Sequence, residues 1–182
     1  MNELNQKYSK EVTDIVAASG QYPCVTQTED GQMYVCYQEY KDGHDVIKAG
    51  KLNQNKGEYT EAIQISEKGE ALKPVCIADG NRVWYAWGEC KNQVWGIYYR
   101  SYENGAYGDI HCAEEAEALF YPYLYARGGK VYLLWNRQSS NAGEIVLADI
   151  DEIGVHNVQV VSTSKEVYRP SYCMTDDGTA YV

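Results

Sequence analysis

Apolar residues in this chain occur in short runs separated by turn-forming residues, and the runs recur along the sequence. The clearest run covers residues 82–89 and is apolar at consecutive positions through its middle, where strict alternation would be expected of a half-exposed strand. Residues 32–39 and 130–137 repeat it, and residues 179–182 begin a fourth copy. A short apolar run bounded by turns indicates a strand that is covered on both faces. We therefore expect stacked sheets.

The four prolines set the period of the repeat. Each one stands just ahead of a strand-like run, and they follow one another at intervals of about 50 residues: Pro23, Pro74, Pro122 and Pro170. Each unit reads as four short strands, and the Asn104-Gly105 pair in the second unit is typical of a hairpin turn. Four-stranded repeats of this length are typical of β-propeller blades.

The sequence thus predicts an all-β fold, a β-propeller of four-stranded antiparallel blades, with about three and a half blades in an incomplete ring. Other repetitive all-β folds remain the alternative, and we find no helix. We expect a single partial propeller domain, with its parts in this order: an orphan strand at 12–17, blades at 22–66, 73–113 and 121–162, and the start of a fourth blade at 169–182. Because the last copy stops inside a strand, we interpret the chain as a fragment of a longer protein; a ring completed by a second copy is the alternative.

Composition and charge limit the partners. The net charge of −10 argues against nucleic acid and against an anionic membrane surface, since both need a concentrated cationic face. A carbohydrate or protein ligand fits better, and open blade edges predict self-association.

The start of the chain has no apolar segment typical of a secretory signal, which predicts a cytoplasmic protein, or an extracellular one if the true N-terminus is missing. The same reasoning predicts that the six cysteines are reduced and mostly in the core.

Two sets of equivalent positions are candidates for ligand binding, since propellers bind ligands where the loops before the first strand and after the second strand meet. The first set precedes the prolines and contains Tyr22, Lys73, Tyr121 and Arg169. The second set lies two residues after the last aromatic of the second strand and contains Glu39, Glu89 and Arg137. Carboxylates beside aromatic rings suit sugar binding or glycoside hydrolysis, whereas solvated strand ends are the simpler interpretation. We expect no cofactor and no metal, and interpret residues 42–45 as a turn.

The order of parts, from the proline-led strand through the Asp-Gly or Gly-Gly turn to the Val-aromatic strand, resembles the sialidase-like propellers with Asp-box (BNR) repeats. It resembles the TolB-type propellers more loosely. The nearest match to the Asp-box is the segment 101–107, with Glu103 where Asp is usual; an Asn-Gly hairpin is the alternative reading. The resemblance covers residues 12–182 and implies a carbohydrate-active enzyme that holds a carboxylate with three arginines and uses a tyrosine–glutamate pair. That set is not assembled in this segment.

Two hypotheses on function follow. The first is a propeller module, non-catalytic on its own, that binds a carbohydrate or protein ligand through its loop face. The second is a fragment of a sialidase-like glycoside hydrolase whose catalytic residues lie mostly outside these 182 residues.

Overall fold

The structure is a computed structural model that describes residues 20–53, 58–59, 62–67, 69–138, 142–165, 169–175 and 179–182. The regular structure in these ranges is β-strand, organised in successive antiparallel sheets. The orphan strand expected at 12–17 lies outside the described residues. None of the described residues belongs to a helix long and apolar enough to cross a bilayer.

The first sheet places its strands side by side in the order β1-β2-β3-β4, and β5 also pairs with β3. Its strands are β1 (Gly20–Gln27), β2 (Met33–Lys41), β3 (His44–Asn53), β4 (Glu58–Tyr59) and β5 (Ile63–Gln64). The β2–β3 connection is a two-residue hairpin in which Asp42 and Gly43 both have positive φ, a conformation that fits the twist of paired strands.

The second sheet repeats this arrangement in the order β6-β7-β8-β10, and β9 also pairs with β8. Its strands are β6 (Glu70–Asp79), β7 (Arg82–Lys91), β8 (Val94–Glu103), β9 (Ala106–Tyr107) and β10 (His111–Ala116). Asn104 and Gly105 have φ of 51° and 86° between β8 and β9. The Asn-Gly pair therefore forms a two-residue hairpin, and Glu103 of the Asp-box-like segment binds Arg82 at 2.7 Å.

The third sheet has the order β11-β12-β13-β14, and a short fourth sheet pairs β15 with β16. The strands are β11 (Leu119–Arg127), β12 (Lys130–Gln138), β13 (Gly143–Ile150), β14 (Val155–Ser164), β15 (Cys173–Met174) and β16 (Ala180–Tyr181). Strand order thus follows chain order in each sheet, apart from the short extra strands β5 and β9, as expected of a repeat.

The cores lie between consecutive sheets, and β7 contributes to two of them. Val83, Tyr85 and Trp87 pack toward the first sheet, in a cluster that contains Ile47 and Ile65. Because side chains alternate along a strand, the intervening residues point the other way.

On that opposite face of β7, Trp84 and Ala86 belong to a second cluster together with Leu133 and Trp135 of β12. A smaller third cluster joins the third sheet to Tyr172, the residue just before the first strand of the fourth sheet. The consecutive apolar residues of 82–89 are therefore explained by a strand with a sheet packed on each side, as the sequence predicted.

The six cysteines are all free thiols, but the expectation that they lie mostly in the core holds for only part of the set. Cys36 and Cys76 are buried, whereas Cys112 and Cys173 are exposed. Both exposed residues lie on strands that have a neighbour on one side only within the described sheets, β10 and β15. An apolar run does not tell a covered strand from an outer one.

Candidate functional site

Each of the first three sheets begins with a distorted innermost strand. The pairing register shifts between Gln21 and Cys24, between Leu72 and Val75, and at the equivalent place in β11, so each strand contains a β-bulge. In all three, the bulge contains a proline and the residue before it. Bulges of this kind change the direction of a side chain and are frequent beside binding sites.

The residues before the four prolines share one unusual conformation. The φ angles are 50° for Tyr22, 55° for Lys73, 53° for Tyr121 and 49° for Arg169. A positive φ is uncommon for a residue with a side chain, and the residue before a proline ordinarily adopts an extended conformation. Such a conformation costs on the order of 1–3 kcal/mol at each position and persists only where the surrounding structure enforces it.

The neighbouring sheet supplies part of that enforcement at Lys73. The backbone N–H of Lys73 donates to Oε1 of Gln38 at 3.2 Å, and Gln38 is a buried residue of β2 in the first sheet. A side chain from one sheet thus holds the bulge of the next one.

The four side chains form an alternating row of aromatic rings and cations. Nζ of Lys73 lies 3.5 Å from the ring centroid of Tyr22 and 5.7 Å from that of Tyr121. Cζ of Arg169 lies 5.5 Å from the ring centroid of Tyr121. These distances are within the range of cation–π attraction. The structure therefore brings together all four residues that were predicted from the positions before the prolines.

A cavity of about 320 Å³ opens among these residues, and we call it the proline cavity. It is lined by the four residue–proline pairs together with Cys24 and Val75, a set with two cations and no carboxylate. Tyr22 is 46% exposed there. A second cavity of about 210 Å³ shares Lys73 and Tyr121 with it and continues to Trp95 and Phe120. Aromatic faces and hydrogen-bond donors are thus presented together.

The second predicted set is not gathered at one place. Glu89 is fully buried: Oε2 accepts the indole N–H of Trp87 at 2.8 Å, and Oε1 accepts the backbone N–H of Gly69 at 2.9 Å. A side chain at Gly69 would come within 2.6 Å of the carbonyl oxygen of Cys90, so the chain passes close to Glu89 here.

Arg137 and Glu39 occupy the same repeat position as Glu89 but have different partners. Arg137 donates to Glu114 at 2.5 Å and to Glu144 at 2.8 Å, and these carboxylates raise the pKa of its guanidinium. Glu39 pairs with Lys48 at 3.2 Å. Each member of the set is thus engaged by residues close to it.

Cys24 was not among the site residues predicted from the sequence, although it lies on the wall of the proline cavity. The adjacent thiols of Cys36 and Cys76 lower the pKa of Cys24 to about 3. Its position directly after Pro23 is the sequence signal that it lies near the bulge. Within the part of the chain that the structure describes, no group of three or more His, Cys, Asp or Glu residues is arranged to hold a metal ion.

Neither a protein-family model nor a curated protein sequence matches this chain. Among solved structures, the α-L-arabinanase of Penicillium chrysogenum, complexed with arabinobiose, is similar with a TM-score of 0.62 and 11% identity, over 84% of this chain and 52% of that one. The fold is a β-propeller. A mannose phosphorylase from Leishmania mexicana, in complex with a phosphate ion, is similar with a TM-score of 0.51 and 11% identity, over 75% of this chain and 45% of that one.

The propeller of this chain is incomplete: it spans about half the length of these two solved structures. It holds about three and a half four-stranded blades, and the sheets described above are these blades. Both similar proteins are carbohydrate-active enzymes by name, and at this level of identity the similarity shows the fold alone.

Proposed function

We propose that this chain is a propeller module, non-catalytic on its own, that binds a carbohydrate at the proline cavity. The observation that carries the proposal is the fourfold repetition of one strained conformation. It turns Tyr22, Lys73, Tyr121 and Arg169 toward a single cavity. Strain that recurs at equivalent positions and converges on one space is more typical of a site than of packing.

The chemistry of the lining suits a sugar. Tyr22 and Tyr121 offer ring faces on which the C–H face of a sugar can pack, and their hydroxyl groups form hydrogen bonds. Lys73 and Arg169 supply donors for sugar oxygens, with Lys73 placed between the two rings. The cavity of about 320 Å³ matches a small ligand.

Calorimetric titration of the full chain with arabinobiose, mannobiose and other neutral disaccharides tests the proposal. Tyr22→Ala is expected to weaken binding about tenfold through the loss of ring stacking. Tyr40→Ala is the matched control, since Tyr40 is an exposed tyrosine of the same blade and does not line the cavity. A chain that binds none of these sugars but binds a peptide through Tyr22 would show that the ligand is a protein segment.

The alternative is a fragment of a sialidase-like or related glycoside hydrolase, and the fold shared with a solved arabinanase, of which this chain covers 52%, supports it. The residues that line the proline cavity include no carboxylate, whereas glycoside hydrolysis uses a pair of them. In this reading the present segment binds the sugar and the catalytic pair comes from residues beyond it.

The module hypothesis and the enzyme-fragment hypothesis predict different activities for a longer version of the chain. The 182-residue chain is expected to bind sugar without cleaving it. If the gene continues past Val182 into further blades, cleavage by the longer chain that persists in Glu39→Gln supports the enzyme reading. A longer chain that binds sugar and leaves it intact supports the module.

A further inference from the structure

We propose that Cys24, Cys36 and Cys76 form a reactive thiol site on the wall of the proline cavity, at which a small disulfide converts Cys24 and Cys76 into a bond between the first two blades. This inference is independent of carbohydrate binding. It rests on the arrangement of three cysteines from three strands, β1, β2 and β6.

The contacts between Cys24 and Cys76 are reciprocal. The backbone N–H of Cys76 donates to Sγ of Cys24 at 3.3 Å, and Sγ of Cys24 lies 3.6 Å from the carbonyl oxygen of Cys76. In turn, Sγ of Cys76 lies 3.4 Å from the carbonyl oxygen of Cys24. Each sulfur is thus packed on the backbone of the other residue, across the boundary between the innermost strands of two blades.

The three cysteines differ in accessibility. Cys36 is fully buried and Cys76 is 7% exposed, whereas Cys24 is half-buried and lines the cavity. An incoming reagent therefore meets Cys24 first.

The same arrangement selects Cys24 as the nucleophile. The backbone N–H of Cys76 donates to its sulfur, and the adjacent thiols of Cys36 and Cys76 lower its pKa, which favours the thiolate. The pKa of Cys36 is raised, chiefly by burial, and that of Cys76 is raised, chiefly by its contact with Cys24. A thiolate that is reachable from solvent, with a second thiol against it, is the arrangement of a reactive cysteine and its resolving partner.

The reaction needs an oxidant, and a low-molecular-weight disulfide supplies it. The thiolate of Cys24 attacks one sulfur of the reagent, forms a mixed disulfide and releases one thiolate. The sulfur of Cys76 then loses its proton to solvent and attacks Cys24, which releases the second thiolate. Two electrons pass from the protein to the reagent, one protein disulfide forms, and the reagent leaves as two thiols.

Peptide mapping of the full chain after treatment with 2-hydroxyethyl disulfide tests the proposal. Trypsin leaves Cys24 and Cys36 in one peptide, residues 11–41, and Cys76 in another, residues 69–82, because the Lys73–Pro74 bond resists cleavage. We expect a disulfide that joins these two peptides. A disulfide within the peptide 11–41, or reaction at Cys112 and Cys173 alone, overturns the proposal.

Two further measurements test the proposal without relying on a single variant: the rates at which the cysteines are modified, and the mixed disulfide that remains on Cys24 when Cys76 is replaced. At neutral pH the reagent is expected to modify Cys24 at least about tenfold faster than Cys112, since partial desolvation of its thiol and the nearby Glu115 raise the pKa of Cys112. Equal rates contradict the proposal. Cys76→Ser is expected to retain the reagent on Cys24 as a stable mixed disulfide, whereas Cys173→Ser leaves formation of the bond unchanged.

Thermal unfolding distinguishes the disulfide between blades from simple modification of exposed thiols, because only the disulfide is expected to raise Tm. The new bond closes a loop between residues that are 52 positions apart, and we expect it to raise Tm by about 10 °C. The increase should be absent in Cys24→Ser and present in Cys112→Ser. An unchanged Tm after the bond has formed between the two peptides contradicts the expectation that it adds a constraint between the first two blades.

Discussion

The second and third blades each bury a tryptophan whose indole N–H needs an acceptor, and they provide that acceptor from different strands. Both bury a tryptophan near the end of the second strand, Trp87 and Trp135, and both indole N–H groups donate to a carboxylate. In the second blade that carboxylate belongs to Glu89, two residues further along the same strand. In the third blade, Arg137 occupies that position and the acceptor is Glu114, from the outer strand of the second blade.

The difference shows what the repeat preserves. An unpaired indole N–H in the core costs free energy, so every blade with a buried tryptophan here needs an acceptor. The need recurs while the residue that meets it changes. Where the strand itself supplies the carboxylate, the contact stays within the blade; where the neighbour supplies it, the contact joins two blades.

The largest effect is expected where the acceptor is fully buried. Glu89→Leu removes the partner of both the Trp87 indole and the Gly69 backbone N–H and should lower the free energy of unfolding by about 3 kcal/mol. Urea denaturation measures this loss. Glu39→Leu is the matched control at the same repeat position, and its pairing with Lys48 near the surface predicts a loss of about 1 kcal/mol or less. Equal losses in the two variants would contradict the burial argument.

Replacing Arg137 by glutamate gives the third blade the same residue type that the second blade has at the equivalent position, Glu89. Arg137→Glu places a carboxylate beside Glu114 and Glu144 and should lower the free energy of unfolding by about 2 kcal/mol. Adding Glu114→Gln removes one repulsive partner and leaves the new Glu to accept from Trp135. The double variant should therefore be more stable than Arg137→Glu alone, by about 1 kcal/mol. Additive losses would show that the two positions are not equivalent.

The smallest effect is expected at the exposed pair that also joins the first two blades. Lys91 lies 2.6 Å from Glu67, whose side chain is 56% exposed, and 3.8 Å from the ring centroid of Tyr98. Solvent screens such a pair, so Lys91→Met should lower the free energy of unfolding by about 0.5 kcal/mol. The same urea series measures it. A loss as large as that of Arg137→Glu would mean that exposure does not separate the two inter-blade contacts.

Much of the architecture was predictable because the repeat amplifies weak signals. One apolar run such as 82–89 is ambiguous, but copies at a fixed spacing indicate stacked sheets, and the two faces of β7 confirm this. The exposure of Cys112 was not predictable, because a strand on the outside of a blade has the same local composition as a covered one.

The candidate site shows a different limit. The equivalence of Tyr22, Lys73, Tyr121 and Arg169 was visible from the prolines, but their left-handed conformation was not, since local sterics before a proline favour the opposite. Tertiary contacts such as Gln38 to Lys73 supply what local preference does not. Glu89 is buried and does not line a site with Glu39 and Arg137, for a related reason. Equivalent repeat positions have the same backbone placement, but the residues packed around each side chain determine whether it is exposed to solvent.

The placement of the cores between the described blades has a consequence for cooperativity. A single blade would expose two apolar faces to solvent. Stability therefore depends on the interfaces between neighbouring blades, as in a one-dimensional array of coupled repeats. β7 takes part in two such contacts, whereas β14 lies at the outer edge with Val158 57% exposed. Amide hydrogen exchange should therefore be slowest in β7 and become faster toward either end of the described chain, so that protection follows the number of neighbours rather than the strength of any single bond.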